Sequence, residues 1–378
     1  MKTFKRILTT KIKALIGRNK VIVIVGTRRV GKTRLIEAIR SDFEGESLMM
    51  NAEDFDIQRL LENRSVANYK KIIGSATLLI IDEAQVMASV GAILKLMIDS
   101  IPGLTIIVTG SSSFDLLNKT GDPLTGRQHQ FHLYPLSQKE IGVEESHIET
   151  TQNLDERLIF GSYPEIFHYS TYQEKSEYLQ QLVQSYLLKD ILAYEGIRNA
   201  DKIVRLLRLI ALQTGREVSY TELGTQLGMS KNTVEIYLDL LSKVFIIHKL
   251  GAYSTNQRKE ISKGAKWYFY DNGIRNALIN DFRLPPLRND MGQLWESYLL
   301  SERIKKNAYE GKSVQYFFWR NYNQQEVDLV EISNGQMQAY EFKLSPEKKV
   351  KPPSAFANTY SEAVFTTISK ENYLDWIL

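Results

Sequence analysis

Residues 26–33 read GTRRVGKT, directly behind the apolar run VIVIV and ahead of LIEAIR. No other stretch restricts the fold as tightly. Gly26, Gly31, Lys32 and Thr33 satisfy the spacing G-x-x-x-x-G-K-[ST], which lets backbone N–H groups curl around phosphate oxygens without Cβ clashes. Val21–Val25 is a β-branched run suited to a strand buried on both faces, and Leu35, Ile36 and Ile39 recur at helical spacing. The loop therefore lies between a strand and a helix. There Gly26, Thr27, Arg28, Arg29, Val30, Gly31, Lys32 and Thr33 are placed to hold nucleotide phosphates, with the helix dipole adding to the pull. Lys32 would reach the β- and γ-phosphates of ATP and Thr33 would ligate Mg²⁺. A glycine-rich turn with a chance lysine is the competing reading, and both flanks speak against it.

Such a loop needs a second carboxylate element, and TLLIIDEAQ at residues 77–85 supplies one. Four apolar residues predict a buried strand with Asp82 and Glu83 at its C-terminal edge, where open α/β sheets bind ligands. Asp82 is expected on Mg²⁺ through its water shell and Glu83 on the attacking water; alone, the pair would read as two solvated acids. The next strand, LTIIVTGSSS, ends in Thr109 and Ser111–Ser113, hydroxyls for sensing a γ-phosphate or simply a polar turn. Strands at Leu48–Asn51 and about Gln130–Leu133, with a helix around Ile57–Leu61, complete five strands of a RecA-like parallel sheet. In this order of strand, Walker A, strand, helix, Walker B with DE and polar strand end, the chain resembles the AAA+ ATPases. DEAQ also suggests a DEAD-type helicase, but nothing after residue 150 repeats a second such core. Arg127, in LTGRQHQFHLYPLS, is the best candidate for an arginine finger reaching a neighbour's nucleotide in a homo-oligomer; the alternative is a surface arginine.

At 378 residues the chain accommodates several domains, expected at 1–150, 151–284 and 285–378. The absence of cysteine excludes disulfides and thiolate zinc sites and fits a reducing cytoplasm. His129 and His132 fall on opposite faces of one expected strand, so the histidines make no metal set. A net charge of +4 is compatible with nucleic acid without arguing for it. No apolar run approaches a bilayer's thickness, so a soluble chain without a membrane partner is expected. The N-terminus carries Phe4, Ile7, Leu8, Ile12, Leu15 and Ile16 on one helical face among basic residues. That is either a membrane-surface helix or a helix packed on the ATPase core, and the strand that follows at once favours packing.

From Asn153 to about Thr214 the amphipathic runs YLQQLVQSYLLKDILAY and KIVRLLRLIALQT predict a helical lid or linker. Residues 218–250 then read as helix, turn, helix, strand, with Leu223 and Leu227 on the first helix, Gly228 in the turn and Ser230 as N-cap. Val234, Tyr237, Leu238 and Leu241 point inward on the second. The pattern resembles a winged helix. Lys231, Asn232 and Glu235 either face a DNA groove or belong to a module that only packs domains, and the scarcity of basic residues favours packing.

The second chemically loaded stretch is EVDLVEISNGQMQAYEFKL. Asn334-Gly335 signals a type I′ hairpin, which sets Ser333 opposite Gln336, Asp328 opposite Glu341 and Glu326 opposite Lys343. With a period of two, all four charged groups share one face. Asp328, Glu341 and Lys343 then form the D…E-x-K set of PD-(D/E)xK nucleases, in which two carboxylates bind Mg²⁺ and the lysine activates water. A helix over about 292–306 presents Glu296 as a further ligand, and strands at Val314–Phe318 and Ala363–Ile368 fit a restriction-endonuclease-like core. The bland reading is an exposed hairpin face with two cross-strand charge pairs.

Taken in order, GTRRVGKT, LLIIDEAQ, VTGSSS, TGR before YPLS, GSYPEIF, YLLKDI, YFYDNGI, GQLWE, EVD and EFK resemble a family of uncharacterised prokaryotic ATP-binding proteins. The resemblance implies an α/β chain: a RecA-like AAA+ core, a helical and winged-helix middle, and an α/β restriction-endonuclease-like domain. It also implies ATP binding and work on nucleic acid, with DNA the expected partner. Two functions follow: an ATPase whose nucleotide state controls a nuclease-like module, or a non-catalytic ATP-dependent switch. A protein-remodelling ATPase would need an aromatic pore loop, and the sequence offers no signal for one.

Overall fold

The computed structural model describes residues 3–111, 124–187, 200–254, 264–345 and 350–378. They form two compact units, one of Thr3–Tyr134 with Lys243–Phe245, the other of Pro135–Ser242 with Ile246–Leu378.

In the first unit the strands are β1 (Val21–Val25), β2 (Ser47–Asn51), β3 (Leu78–Asp82), β4 (Thr105–Gly110) and β5 (Gln128–His132). They pair in parallel in the order β2-β3-β4-β1-β5. Every residue of β1, β3 and β4 is buried, which is why these strands read as continuous apolar runs. Helices Lys32–Ser41, Phe55–Glu62, Val66–Ile73 and Val90–Ser100 connect them. Asp54 and Ser65 cap two of these by accepting from the N–H groups of Asp56 and Asn68.

The N-terminal helix, Ile7–Lys13, buries Leu8 and Ile12. Just before it, Arg6 donates to the carbonyls of Val30 (2.7 Å) and Tyr134 (2.6 Å), so this segment braces the phosphate-loop region. Packing is what its apolar face does. Among the described residues no helix is long and apolar enough to cross a membrane. The compact unit ends at Tyr134, and the stretch after it bonds within the second unit. The Leu136 N–H donates to the Ser162 carbonyl and the Gln138 N–H to the Glu302 carboxylate.

The second unit is built on a seven-stranded sheet in the order β12-β11-β10-β9-β7-β8-β6. Its strands are β6 (Glu217–Val218), β7 (Ile247–Ala252), β8 (Ala265–Phe269), β9 (Gln315–Arg320), β10 (Glu326–Ser333), β11 (Gln336–Phe342) and β12 (Val364–Ile368). One sheet therefore runs across the expected boundary at 284/285. The join is the short parallel pairing of Gly251 and Ala252 with Phe317 and Phe318, extended by the Tyr253 N–H to the Phe318 carbonyl at 2.7 Å.

Between β6 and β7 lie helices Tyr220–Leu227 and Lys231–Lys243, joined through left-handed Gly228. Ser230 caps the second, and Val234, Tyr237, Leu238 and Leu241 are buried as their spacing requires. The β10–β11 hairpin has the expected register, Ser333 opposite Gln336, with positive φ at both Asn334 and Gly335. Helix Met291–Glu310 lays Leu294, Trp295, Leu299 and Leu300 into the core beneath this sheet. Most of YLLKDI, together with Ser112 and Ser113, lies outside the described residues.

Candidate functional site

Strand β1 delivers the chain into the phosphate loop at the C-terminal edge of its sheet. Two loop residues adopt positive φ, Arg29 at 65° and Gly31 at 97°. At Gly26 an added Cβ would stand 2.4 Å from the Leu133 carbonyl oxygen, so a side chain is sterically excluded there. Lys32 is only 4% exposed, and its ammonium donates to the carbonyls of Gly26 (3.1 Å) and Thr27 (3.3 Å). The same group lies 3.7 Å from the Glu83 carboxylate.

The two acids are fixed from three sides. Thr33 donates its hydroxyl to Asp82 at 2.8 Å, Thr109 donates to the other Asp82 oxygen, and the Glu83 N–H donates to Thr109 Oγ1 at 3.0 Å. Glu83 itself sits in the left-handed region, φ 53°, and accepts from Gln85 Nε2 at 2.5 Å. Sequence reasoning missed Gln85, although its place two residues after Glu83 was visible. Thr109 was expected to sense a γ-phosphate or to lie in a polar turn. That side chain is fully buried, with its hydroxyl committed to Asp82 and to the Glu83 backbone, so it positions the acids.

The residues present fit Mg-ATP. The loop has room only for backbone at Gly26, and a buried ammonium, a hydroxyl and two carboxylates meet at one sheet edge. Arg127 is not among them. Its carbonyl accepts from the Val21 N–H at the opposite, N-terminal edge of the sheet, and its Nε bonds Asp99 at 2.7 Å. It does not join the phosphate loop of its own chain.

In the second unit the hairpin gathers the expected charges. Asp328 accepts from the Phe342 N–H at 2.8 Å, and Lys343 donates to Glu341 at 2.6 Å. Glu296, from helix Met291–Glu310, accepts from the Tyr268 hydroxyl. The unforeseen member is Lys266 on β8, 4% exposed, with its ammonium 3.5 Å from Glu296 and paired with Glu326. It also lies 5.2 Å from the centroid of the Phe318 ring.

Burial, against the pull of Lys266 and with Asp328 and Glu326 adding to it, pushes the Glu296 carboxyl up to about 7. Burial likewise raises Asp328 and Glu341. For Lys266 burial disfavours the charge, yet Glu296, Glu326 and Asp328 together hold its ammonium above the usual lysine range.

A divalent cation expected on Glu296, Asp328 and Glu341 does not fit this arrangement. Lys266 already pairs with Glu296 and Glu326 and offsets part of their charge, which weakens the attraction a dication would feel there. Among the described residues no three His, Cys, Asp or Glu side chains form a group that could hold a metal ion. On the helix pair, Lys231, Asn232 and Glu235 are exposed.

Residues 18–142 match the family described as AAA domain. Residues 151–284 and 291–373 match two families described as domains of unknown function, DUF8612 and DUF4143. The chain is similar to an uncharacterized protein of Methanocaldococcus jannaschii, 26% identical over 347 residues, covering 86% of this chain and 75% of that protein. It is also similar to an uncharacterized protein of Haemophilus influenzae, 25% identical over 282 residues, 68% of each. Among solved structures, the Walker-type ATPase PABY2304 of Pyrococcus abyssi aligns with a TM-score of 0.48 and 17% identity, over 73% of this chain and 96% of that one. The RuvB Holliday junction branch migration motor of Thermotoga maritima aligns with a TM-score of 0.31 and 15% identity, over 69% and 95%. Residues 18–142 thus form an AAA-type P-loop ATPase domain, and its family supports ATP binding and hydrolysis.

Proposed function

We propose that this chain hydrolyses ATP in its first unit and that the nucleotide state governs a nuclease-like second unit, which engages DNA. The observation that carries the first half is the convergence of Lys32, Thr33, Asp82 and Glu83 at one sheet edge. Mg-ATP, when bound, brings the phosphoanhydride bond and the cation that neutralises its charge. The chain supplies the rest. Lys32 and the loop N–H groups bind phosphate, Thr33 and Asp82 hold the cation, and Glu83 takes the proton of the attacking water. Gln85 and Thr109 keep Glu83 in place.

Lys32→Ala is expected to abolish ATP binding, whereas Glu83→Gln keeps it and loses about 10² to 10⁴ in turnover. Parental turnover in Glu83→Gln would refute the assignment of the base. Hydrolysis measured with and without single-stranded, duplex and branched DNA tests the second half; an unchanged rate together with no DNA binding refutes it.

The DNA reading draws support from the order β6, helix, helix, β7, β8, which fits a winged helix, and from the exposed Lys231 and Asn232 on its second helix. Binding is the mode we favour, because Lys266 neutralises the acids that a metal-dependent nuclease needs. Cleavage is the second reading. What favours it is the hairpin register, which brings Asp328, Glu341 and Lys343 together in a restriction-endonuclease-like pattern. Cut products from the same DNA panel with Mn²⁺, lost in Asp328→Asn, would establish it.

A further inference from the structure

The second unit's acidic cluster disagrees with the metal chemistry its hairpin suggests, and the disagreement is specific. Lys266 and Tyr268 lie two residues apart on β8, a strand that belongs to the segment before the hairpin domain. Both reach Glu296, Tyr268 by its hydroxyl and Lys266 by its ammonium at 3.5 Å, while Lys266 also pairs with Glu326. The ammonium stands over the Phe318 ring, 5.2 Å from its centroid, and the residue is 4% exposed. A buried ammonium persists only where carboxylates compensate its lost hydration.

One oxygen of each neighbouring acid is also engaged. Asp328 takes the Phe342 N–H, Glu341 takes Lys343, and the outer oxygen of Glu326 faces Arg320 Nε at 3.7 Å.

We propose that Lys266 is the resident cation of this cluster, so that the protein itself neutralises Glu296, Glu326 and Asp328 and the parental chain takes up no divalent metal there. The proposal rests on the nuclease-like reading of the fold but not on DNA binding. Its consequence is that deleting the ammonium leaves these carboxylates free to close around a divalent cation, which their present placement does not hold. Glu296, Glu326, Asp328 and Glu341 then lack their central counter-charge, and hard oxygen donors of this kind take Mn²⁺ or Mg²⁺.

The test uses the full chain without nucleotide, titrated with Mn²⁺ by electron paramagnetic resonance and by thermal melting. Lys266→Met keeps an unbranched side chain of similar length and removes the charge. It is expected to bind Mn²⁺ at least about tenfold tighter than the parent and to melt higher with it, a gain removed by Asp328→Asn. Metal retained at the phosphate loop does not respond to Asp328→Asn, which separates the two sites. Parental Mn²⁺ binding that Asp328→Asn abolishes would overturn the proposal, and that arm needs no Lys266 variant to fold. A folded Lys266→Met chain with no added Mn²⁺ affinity would overturn it as well. DNA binding, measured separately by gel shift with EDTA, reports on the functional reading whichever way the metal experiment falls.

Discussion

Thr109→Val removes one hydroxyl and almost no volume, yet that hydroxyl serves both acids of the nucleotide site. It donates to a buried carboxylate oxygen of Asp82 and accepts the Glu83 N–H at 3.0 Å. A hydrogen bond to a charged group contributes about 1.5–3 kcal/mol, and a donor left without a partner costs about 1–3 kcal/mol. Thr33 still holds the other Asp82 oxygen at 2.8 Å, which allows partial relaxation, so the lower part of the combined range applies, about 3 kcal/mol. All four tryptophans, at 267, 295, 319 and 376, lie in the second unit, so their fluorescence does not report this loss. Native-state hydrogen exchange on β3 and β4 does. Protection there should fall by about 10²-fold, with turnover falling by a similar factor as the acids lose their alignment. Thr109→Ser, which keeps the hydroxyl, should recover most of both. Protection within about threefold of the parent, with unchanged turnover, would show that the acids are positioned by something other than this hydroxyl.

Two further outcomes are expected. Because Arg127 lies at the sheet edge away from its own phosphate loop, Arg127→Ala mixed with Lys32→Ala should recover part of the ATP turnover that each lacks alone. Fingers contribute about 10³ to 10⁵, and no recovery in a mixture shown to co-assemble would place Arg127 outside catalysis. Asp281 is held at about 2, chiefly by hydrogen bonds from Arg283, with Arg288 adding to the effect. Since the folded value lies below the unfolded one, its contribution is present above pH 4 and lost as pH falls through about 2. Asp281→Asn should therefore destabilise the second unit at neutral pH, by tryptophan-monitored denaturation, and leave it unchanged near pH 2. An identical acid limb in parent and variant would contradict that.

The nucleotide site was legible because its determinants are local. A strand buried on both faces must be a continuous apolar run, and the loop between Val25 and Lys32 must carry glycine where backbone approaches backbone, as Gly26 does against Leu133. The hairpin was legible for the same reason. Asn334-Gly335 fixes a two-residue turn, the turn fixes the register, and the register fixes which acids meet. The strand pairing that carries one sheet across residue 284 was not legible, since nothing in the local pattern of Gly251 and Ala252 says that their strand will pair with Phe317 and Phe318, more than sixty residues on. Non-local pairing is set by which edges remain open once each local unit has formed. The helices and strands of the middle segment left β7 with such an edge, and the sheet continued through it.

The same logic explains why Lys266 escaped notice and why it changes the chemistry. Read in sequence, AKWYF is an apolar strand with one long basic residue, which ordinarily snorkels to solvent. Only the sheet's continuity places that strand near Glu296 and Glu326, where the ammonium is buried instead. The acids could be named from the hairpin alone, but their charge state could not, because it depends on a cation contributed by a segment outside the motif. A constellation such as D…E-x-K states which ligands are offered. Whether a metal accepts them depends on what else the fold brings within about 4 Å, where an added positive charge offsets the attraction of one carboxylate at the same distance.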